Sequence, residues 1–183
     1  MQNRTSGIPE QVTVTPNHPW AGAALSAAMA AVVTGARRRA VRDGDRHVDT
    51  AHLLHSLIES DPEVRQAFDG GPQPARVLGY LVQRSIGYGL RWQGTQEDSG
   101  AFPAIREPAG EGWSPSAEAA MDRALGSALL RGEIHADGLD LLAALVADPR
   151  CRAVEVLERA GVAVEPLRAR AADRTAVEDP RGS

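Results

Sequence analysis

The chain has 183 residues, a net charge of −4 at pH 7 and a pI near 5.7. This acidic balance argues against a general nucleic-acid-binding protein, because contacts with phosphates need a basic surface. Hydrophobic residues make up 43% of the chain but aromatic residues only 4%. A core of Ala, Leu and Val suits closely packed helices better than sheets, so the composition predicts an all-α fold.

The two ends of the sequence are predicted to be flexible tails. Residues 1–20 and 173–183 are rich in Pro, Gly, Thr and charged residues. Residues 1–20 lack the apolar segment of a signal peptide, and the apolar run 21–33 is too short and Ala-rich to span a membrane. Cys151 is the single cysteine, which excludes an internal disulfide. We therefore expect a cytoplasmic protein with no membrane contact.

From residue 25 onward the apolar residues recur at helical spacing, and the pattern appears twice. The first apolar stripe consists of Leu25, Met29, Val32, Val33, Ala36 and Ala40. The same stripe recurs 88 positions later as Trp113, Ala117, Ala120, Met121, Ala124 and Ala128. Gly44 and Gly132 follow the two stripes as equivalent stop signals. The sequence thus predicts two equivalent long helices.

A second pair of segments repeats downstream of these helices. DTAHLLHSLIESDP starts at Asp49 and DGLDLLAALVADP starts at Asp137, and both aspartates stand where a helix N-cap is expected. Each closing Asp-Pro pair, Asp61-Pro62 and Asp148-Pro149, is predicted to begin a third helix, with Asp as cap and Pro in the first turn. Third helices are predicted over 63–68 and 150–160, and fourth helices over 74–86 and 165–171.

Internal repetition of this length predicts two similar helical units packed side by side. We predict two tandem four-helix repeats that form one pseudo-symmetric domain. The first repeat covers 21–90 and the second covers 113–172. The Gly-, Pro- and Glu-rich segment 91–112 between them has no sustained period and is predicted to be an irregular linker.

The repeated segments resemble the N-terminal domain of the Clp unfoldases, especially the ClpC type. That domain is a tandem of two four-helix repeats, each opening on an aromatic-Thr pair and carrying Gly-Thr-Glu-His-aliphatic-Leu-Leu on its second helix. Here Leu25-Ser26 and Trp113-Ser114-Pro115 hold the openings, while DTAHLL and DGLDLL hold the second-helix motif. The resemblance covers residues 21–172. It implies a non-enzymatic domain that binds polypeptides and needs no cofactor.

Two departures from the family pattern bear on function. In the family, the motif Glu helps to bind phosphorylated arginine on substrates, but Ala51 and Leu139 occupy the two Glu positions here. Thr50 is retained, whereas Gly138 replaces the second motif Thr. The chain also contains no Lys, so it has no Walker A loop, which needs Lys to reach nucleotide phosphates.

The resemblance therefore implies a stand-alone binding module without the ATPase motor. Such a module would act as an adaptor, a decoy or a sponge for substrates or peptide-like toxins. Its expected partners are a polypeptide substrate, an adaptor or a cyclic peptide, with a Clp unfoldase as a further candidate.

The predicted peptide-binding residues lie around the openings of the two repeats. Pseudo-symmetric packing could bring both openings to one surface, with first-turn N–H groups and apolar side chains facing a ligand. The set consists of Leu25, Ser26, Thr50, Trp113, Ser114, Glu118 and Asp122. For Trp113 two alternatives stand: an anchor of the core between the repeats, or an aromatic residue that contacts the ligand.

Two alternative sites follow from other residues. His52 and His55 stand three apart on a predicted helix and could bind a metal with His47 or Asp49, as in a metal-dependent enzyme. Their equivalents in the second repeat are Asp140 and Ala143, which favours a helix-capping or interhelical hydrogen bond instead. The basic cluster from Arg37 to Arg42 could mark a helical DNA-binding regulatory protein, which the acidic net charge disfavours.

Two nucleophile candidates are also present. GEGWSPSAE lacks the closing Gly of a nucleophile elbow, so Ser114 is better explained as an N-cap. Arg150 and Arg152 beside Cys151 could lower the pKa of its thiol, but no catalytic partner is identifiable. The sequence thus predicts no catalytic residue and no metal site.

Overall fold

The computed structural model describes residues 25–86, 97 and 112–176, with side chains up to 173. The first repeat contains α1 (Ala27–Asp43), β1 (His47–Val48), α2 (Thr50–Ser60), α3 (Pro62–Ala67) and α4 (Pro72–Ser85). The second contains β2 (Gly112–Trp113), α5 (Pro115–Leu130), α6 (Gly138–Ala147), α7 (Arg152–Arg159) and α8 (Val164–Ala176). The predicted all-α class with two four-helix units is confirmed. No helix among the described residues has both the length and the apolar character needed to cross a membrane.

The long helices α1 and α5 begin and end in the same way. The hydroxyl of Ser26 accepts a hydrogen bond from Met29 N–H, and that of Ser114 accepts one from Ala117 N–H, each at 3.1 Å. Each side chain thereby satisfies an N–H group that a helix start leaves unpaired. The helices are followed by Gly44 (φ 76°) and Gly132 (φ 80°) in the left-handed conformation. The predicted equivalence of these helices is confirmed.

The second helices, α2 and α6, form the centre of the domain. Asp49 and Asp137 cap them, accepting hydrogen bonds at 2.9 Å from the N–H groups of His52 and Asp140. Thr50 to Ile58 in α2 are all buried, and the core also includes Leu141, Leu142 and Leu145 of α6. The small residues of α1 and α5 allow both helices to approach this centre closely.

The packing between the repeats is reciprocal, as expected for a pseudo-two-fold arrangement. Helix α2 contacts α6 and also packs against α7, while α6 packs against α3. The strands β1 and β2 pair in parallel and join the repeats, with Val48 opposite Trp113. Each central helix therefore buries part of its surface against the other repeat.

Two predicted boundaries are wrong. Asp61 caps α3 with Pro62 in the first turn as predicted, but Asp148 ends α6 and Cys151 is the N-cap of α7. The Asp148 carboxylate accepts a hydrogen bond from Arg150 N–H at 3.0 Å, which holds a turn instead of starting the helix. At the other end, α8 continues to Ala176, into the segment predicted as a tail. The predicted N-terminal tail and most of the predicted linker lie outside the described residues.

A carboxylate cradle at the junction of the repeats

Glu97, between the repeats, inserts its carboxylate into the junction. Its exposed fraction is 1%. The Thr50 N–H and hydroxyl donate to its two oxygens, each at 2.6 Å. The Ser114 hydroxyl donates to Oε1 at 2.6 Å and the Arg152 N–H to Oε2 at 2.8 Å. We call Thr50, Ser114 and the Arg152 N–H the junction cradle.

The cradle donors come from helix starts in both repeats. Thr50 opens α2, Ser114 caps α5, and Arg152 opens α7. Cys151, the N-cap of α7, makes no side-chain capping hydrogen bond. Glu97 takes the Arg152 N–H, and the Thr50 hydroxyl accepts from Ala153 N–H at 3.0 Å. Two residues from elsewhere in the chain thus perform the capping that α7 cannot supply for itself.

Buried charges surround the cradle. The Arg152 guanidinium donates to Asp49 Oδ2 at 2.7 Å, and both side chains are buried. Burial and the negative charge of Asp49 raise the pKa of Glu97, against the opposing effect of the hydrogen bonds from Ser114, Thr50 and Arg152. Because both Glu97 oxygens face donors, the geometry fits the ionised carboxylate, which only accepts hydrogen bonds.

Among the residues that the structure describes, the pseudo-symmetric position has no such cradle. Gly138 stands where the first repeat has Thr50. A Cβ added at Gly138 would overlap the carboxylate of Asp61, so the start of α6 lies too close to Asp61 to carry a side chain at this position. Asp61 also caps α3 itself by accepting from Glu63 N–H at 2.8 Å. The cradle is thus a feature of one junction and not of the repeat fold as such.

The predicted site residues lie at three places in the structure. Thr50 and Ser114 meet at Glu97, next to Trp113 in β2. Leu25 and Ser26 lie at the start of α1, where Leu25 packs partly buried against the core and Ser26 caps the helix. On α5, Glu118 is half-buried and Asp122 exposed. Their assignment to peptide binding stays a prediction.

Glu97 was not recognised from the sequence. It lies in the sequence QEDSG of the predicted linker, 47 residues after Thr50, and no periodic pattern points to it. A signal that could have found it is the absence of a polar cap before α7, which requires an acceptor from elsewhere.

Trp113 is 6% exposed and belongs to the core cluster. Its backbone pairs with Val48, and the Arg37 guanidinium lies 5.9 Å from the centroid of its ring. This placement matches the first of the two alternatives, an anchor between the repeats. A cation over the indole face adds a favourable electrostatic contact.

The basic cluster of α1 is engaged largely within the chain. Arg37 stacks over Trp113, Arg39 pairs with Glu59, and Arg42 pairs with its neighbour Asp43. Among these arginines Arg38 and Arg42 are exposed, so the cluster does not present one continuous basic face for DNA.

His52 lies in an acidic cavity of about 150 Å³ beside the cradle. Its Nδ1 stands 3.1 Å from Asp49 N–H and 2.9 Å from Asp49 Oδ1, and it can serve only one of them at a time. Burial opposes protonation, but the charge of Asp49 and hydrogen bonds to Asp43, Asp45 and Asp49 outweigh it and raise the pKa of His52 to about 11. The imidazolium, donating to Asp49 Oδ1, is therefore the form favoured at neutral pH.

Asp45, Asp49 and His52 bring potential metal-ligand atoms within 4.8 Å of one another. Two of these residues already make other contacts. Asp49 caps α2 and binds Arg152, and the His52 side chain contacts Asp49 at the start of α2. His55 points to a different partner, Glu59, at 3.3 Å. The expected absence of stoichiometric zinc stays a prediction, which metal analysis of untagged protein would check.

Cys151 is 1% exposed, and its thiol donates to Leu145 C=O at 3.3 Å. Burial raises the pKa of this thiol to about 11, opposite to the direction in which the adjacent arginines could have shifted it. The Arg152 side chain points instead to Asp49. A buried thiol that stays protonated is a poor nucleophile.

Comparisons with known proteins place the fold. No family model and no curated protein matches the chain. Among solved structures, the N-terminal domain of the chaperone ClpD from Arabidopsis thaliana is similar, with a TM-score of 0.62 and 18% identity, over 83% of this chain and 94% of that chain. A structure from investigations of a malarial protein secretion system has a TM-score of 0.58 and 15% identity, over 86% of this chain and 99% of the other. The chain therefore has the fold of a Clp N-terminal domain.

Proposed function

We propose that this chain is a non-enzymatic polypeptide-binding module of the Clp proteolytic system. The observation that carries the proposal is the junction cradle, in which donors from both repeats hold a side chain from a third part of the chain. A site that binds one peptide side chain by hydrogen bonds and burial is suited to bind another. The proposal is also supported by the fold, which is similar to that of the N-terminal domain of ClpD, a caseinolytic-protease-associated chaperone.

The module would act as an adaptor, a decoy or a sponge, in the cytoplasm, for substrates, adaptors or peptide-like toxins. Its ligand surface would extend from the cradle over Trp113 towards Glu118 and Asp122 on α5, with Leu25 and Ser26 at the equivalent opening of the first repeat. Trp113, which is 6% exposed, would act mainly as the anchor that holds the two repeats together beneath this surface.

The helical DNA-binding alternative has less support, because three of the four arginines that would contact phosphates are engaged with Trp113, Glu59 and Asp43. Duplex binding that falls steeply with salt would revive it.

Binding of an unfolded polypeptide tests the proposal directly. Fluorescently labelled, chemically unfolded casein is titrated with the full chain, and anisotropy reports binding. We expect saturable binding that Ser114→Ala weakens, since that change removes a cradle hydroxyl, and that the exposed-surface control Asp173→Asn leaves unchanged. Equal binding by all three proteins, or none by the wild type, would contradict the proposal.

A degradation assay separates the roles. When the chain is added to a ClpC-type unfoldase with its protease, an adaptor accelerates casein loss, whereas a decoy or sponge slows it. No change in rate at saturating concentration would exclude action within the Clp system.

A further inference from the structure

The occupant of the junction cradle is itself informative. Glu97 shares no helix or strand with its donors, which lie 47, 17 and 55 residues away in the sequence. It is nevertheless among the most completely buried large side chains of the described residues. Ordering and burying a long charged side chain is costly unless its polar atoms are satisfied. The four donors supply that compensation.

The donor set defines the chemistry that the cradle accepts. Two main-chain N–H groups at helix starts and two hydroxyl groups converge on the two oxygens of one carboxylate. Helix starts carry partial positive charge, so the cradle favours an anion over a neutral amide. None of the four donors is a charged side chain, so affinity depends on fitting all of them at once.

The fold does not need the cradle in order to form a junction. At the equivalent junction, the Asp61 side chain lies against Gly138, and no third segment enters among the residues that the structure describes. There α3 carries its own cap, whereas the start of α7 depends on Glu97 and Thr50. Glu97 thus enters at the junction where the start of α7 lacks a local side-chain cap.

From this geometry we propose that Glu97 is a resident intramolecular ligand, and that a glutamate or aspartate side chain of a bound polypeptide takes its place. The inference rests on the proposed function, because it names the ligand class and the built-in competitor of the same site. An incoming carboxylate would make the same hydrogen bonds that Glu97 gives up. Because the same hydrogen bonds form with either carboxylate, the peptide concentration decides whether Glu97 or the ligand occupies the cradle.

Tethering sets the strength of this competition. A group linked to its site by a short chain acts at an effective concentration in the millimolar range, so it outcompetes a free carboxylate that binds weakly. Removing Glu97 should improve the apparent affinity for an acidic peptide by about tenfold or more. Ligands without an acidic side chain should gain nothing.

Amide NMR on the full chain provides the test. The probe is a short peptide, capped at both ends, with a single central glutamate, and its control carries glutamine instead. The backbone N–H resonances of Thr50 and Arg152 are followed in the wild type, Glu97→Ala and the control Asp173→Asn. We expect both resonances to shift in Glu97→Ala and to return towards their wild-type positions as the glutamate peptide is added. In wild type and Asp173→Asn, half-saturation should need about tenfold more peptide.

Glu97→Gln provides a second variant, whose amide keeps the side-chain volume but presents N–H groups to donors. It should also bind the glutamate peptide more tightly than the wild type. The inference is overturned if the glutamate and glutamine peptides bind alike, or if neither variant gains affinity. It is also overturned if both variants unfold, because Glu97 is then an obligatory structural cap.

The outcomes for the two proposals are separable. If casein binding is insensitive to the Glu97 variants and the glutamate peptide gains no affinity, the proposed binding function stands and the role of Glu97 as a resident ligand is contradicted. Glutamate-peptide binding without casein binding or any effect on degradation would leave the cradle and remove the proposed function.

Discussion

Trp113 is the residue at which burial and the predicted binding role compete. The ring is 6% exposed and lies beneath the Arg37 guanidinium at the seam of the repeats. Trp113→Ala should therefore lower the free energy of unfolding by about 3–5 kcal/mol, the usual cost of removing a large buried aromatic side chain. Urea denaturation followed by circular dichroism measures the loss.

The ligand role of Trp113 is tested with the conservative variant Trp113→Phe, which retains an apolar ring. If Trp113→Phe keeps its stability but binds casein more than tenfold more weakly, the indole contacts the ligand. If Trp113→Ala melts like the wild type, the side chain is not the anchor of the junction that the structure shows.

His55 supplies a pH dependence with a definite sign. Burial and the positive charges of Arg39 and Arg42 lower its pKa to about 4, against the partial opposition of Glu59. The unfolded chain, with a pKa of 6.5, binds the proton first as the pH falls. The stability that neutral His55 contributes is therefore present above pH 6.5 and lost as the pH falls towards 4.

His55→Gln should show a smaller loss of unfolding free energy than the wild type between pH 6.5 and pH 4. His52 is the matched control, because its raised pKa gives the opposite sign: its contribution is fully present below 6.5 and lost as the pH rises towards 11. Urea midpoints of His55→Gln and His52→Gln are taken as differences from the wild type. Measurements between pH 4 and 6.5 test the sign for His55, and measurements between pH 6.5 and 11 test the sign for His52. Parallel curves for His55→Gln and wild type would contradict the assignment.

At the scale of helices, the two second helices offer a matched pair of caps. Asp49 and Asp137 make the same 2.9 Å capping contact, but only Asp49 is buried against Arg152. Asp137→Ala should cost about 1 kcal/mol, the usual value of an N-cap. Asp49→Ala should cost about 3–5 kcal/mol, because it leaves a buried guanidinium without its carboxylate. Urea unfolding of the two variants gives the comparison, and equal costs would show that the ion pair contributes little.

Helix starts were predictable where the capping residue is local. Asp49, Asp61, Ser114 and Asp137 all cap the helices that the sequence assigns to them, and Ser26, predicted at the opening of the first repeat, caps α1. The sequence places the start of α7 too early, because Asp148-Pro149 has the same residue types as Asp61-Pro62 but forms a turn instead of a helix start. Its N–H groups are satisfied by Thr50 and Glu97, and a distant acceptor leaves no mark in a local pattern.

At the scale of the whole molecule, neither repeat has the motif carboxylate that the family uses to bind phosphoarginine. A phosphorylated guanidinium needs donors for its phosphate and a carboxylate for its guanidinium end. Buried Ala51 and Leu139 offer no carboxylate at the two motif positions. Losing one charge-assisted hydrogen bond costs on the order of 1.5–3 kcal/mol, or about one to two decades of affinity.

We therefore expect weak or undetectable binding of free phosphoarginine by calorimetry, with unmodified arginine as the control. Low-micromolar binding of phosphoarginine alone would show that another acid replaces the motif Glu.

The sequence by itself determined the architecture of this protein. Two stripes at helical spacing, two Asp-capped central segments and two stop glycines predicted paired four-helix repeats, because periodicity, capping and glycine conformation act over a few residues. Only the tertiary structure decided what the junction does. Tertiary packing buries Trp113 and raises the pKa of Cys151. It also confines the cradle to one of the two junctions, because Asp61 lies against Gly138 at the other. It also placed Glu97 among donors from both repeats, and such long-range contacts depend on how the repeats meet and not on any local order of residues.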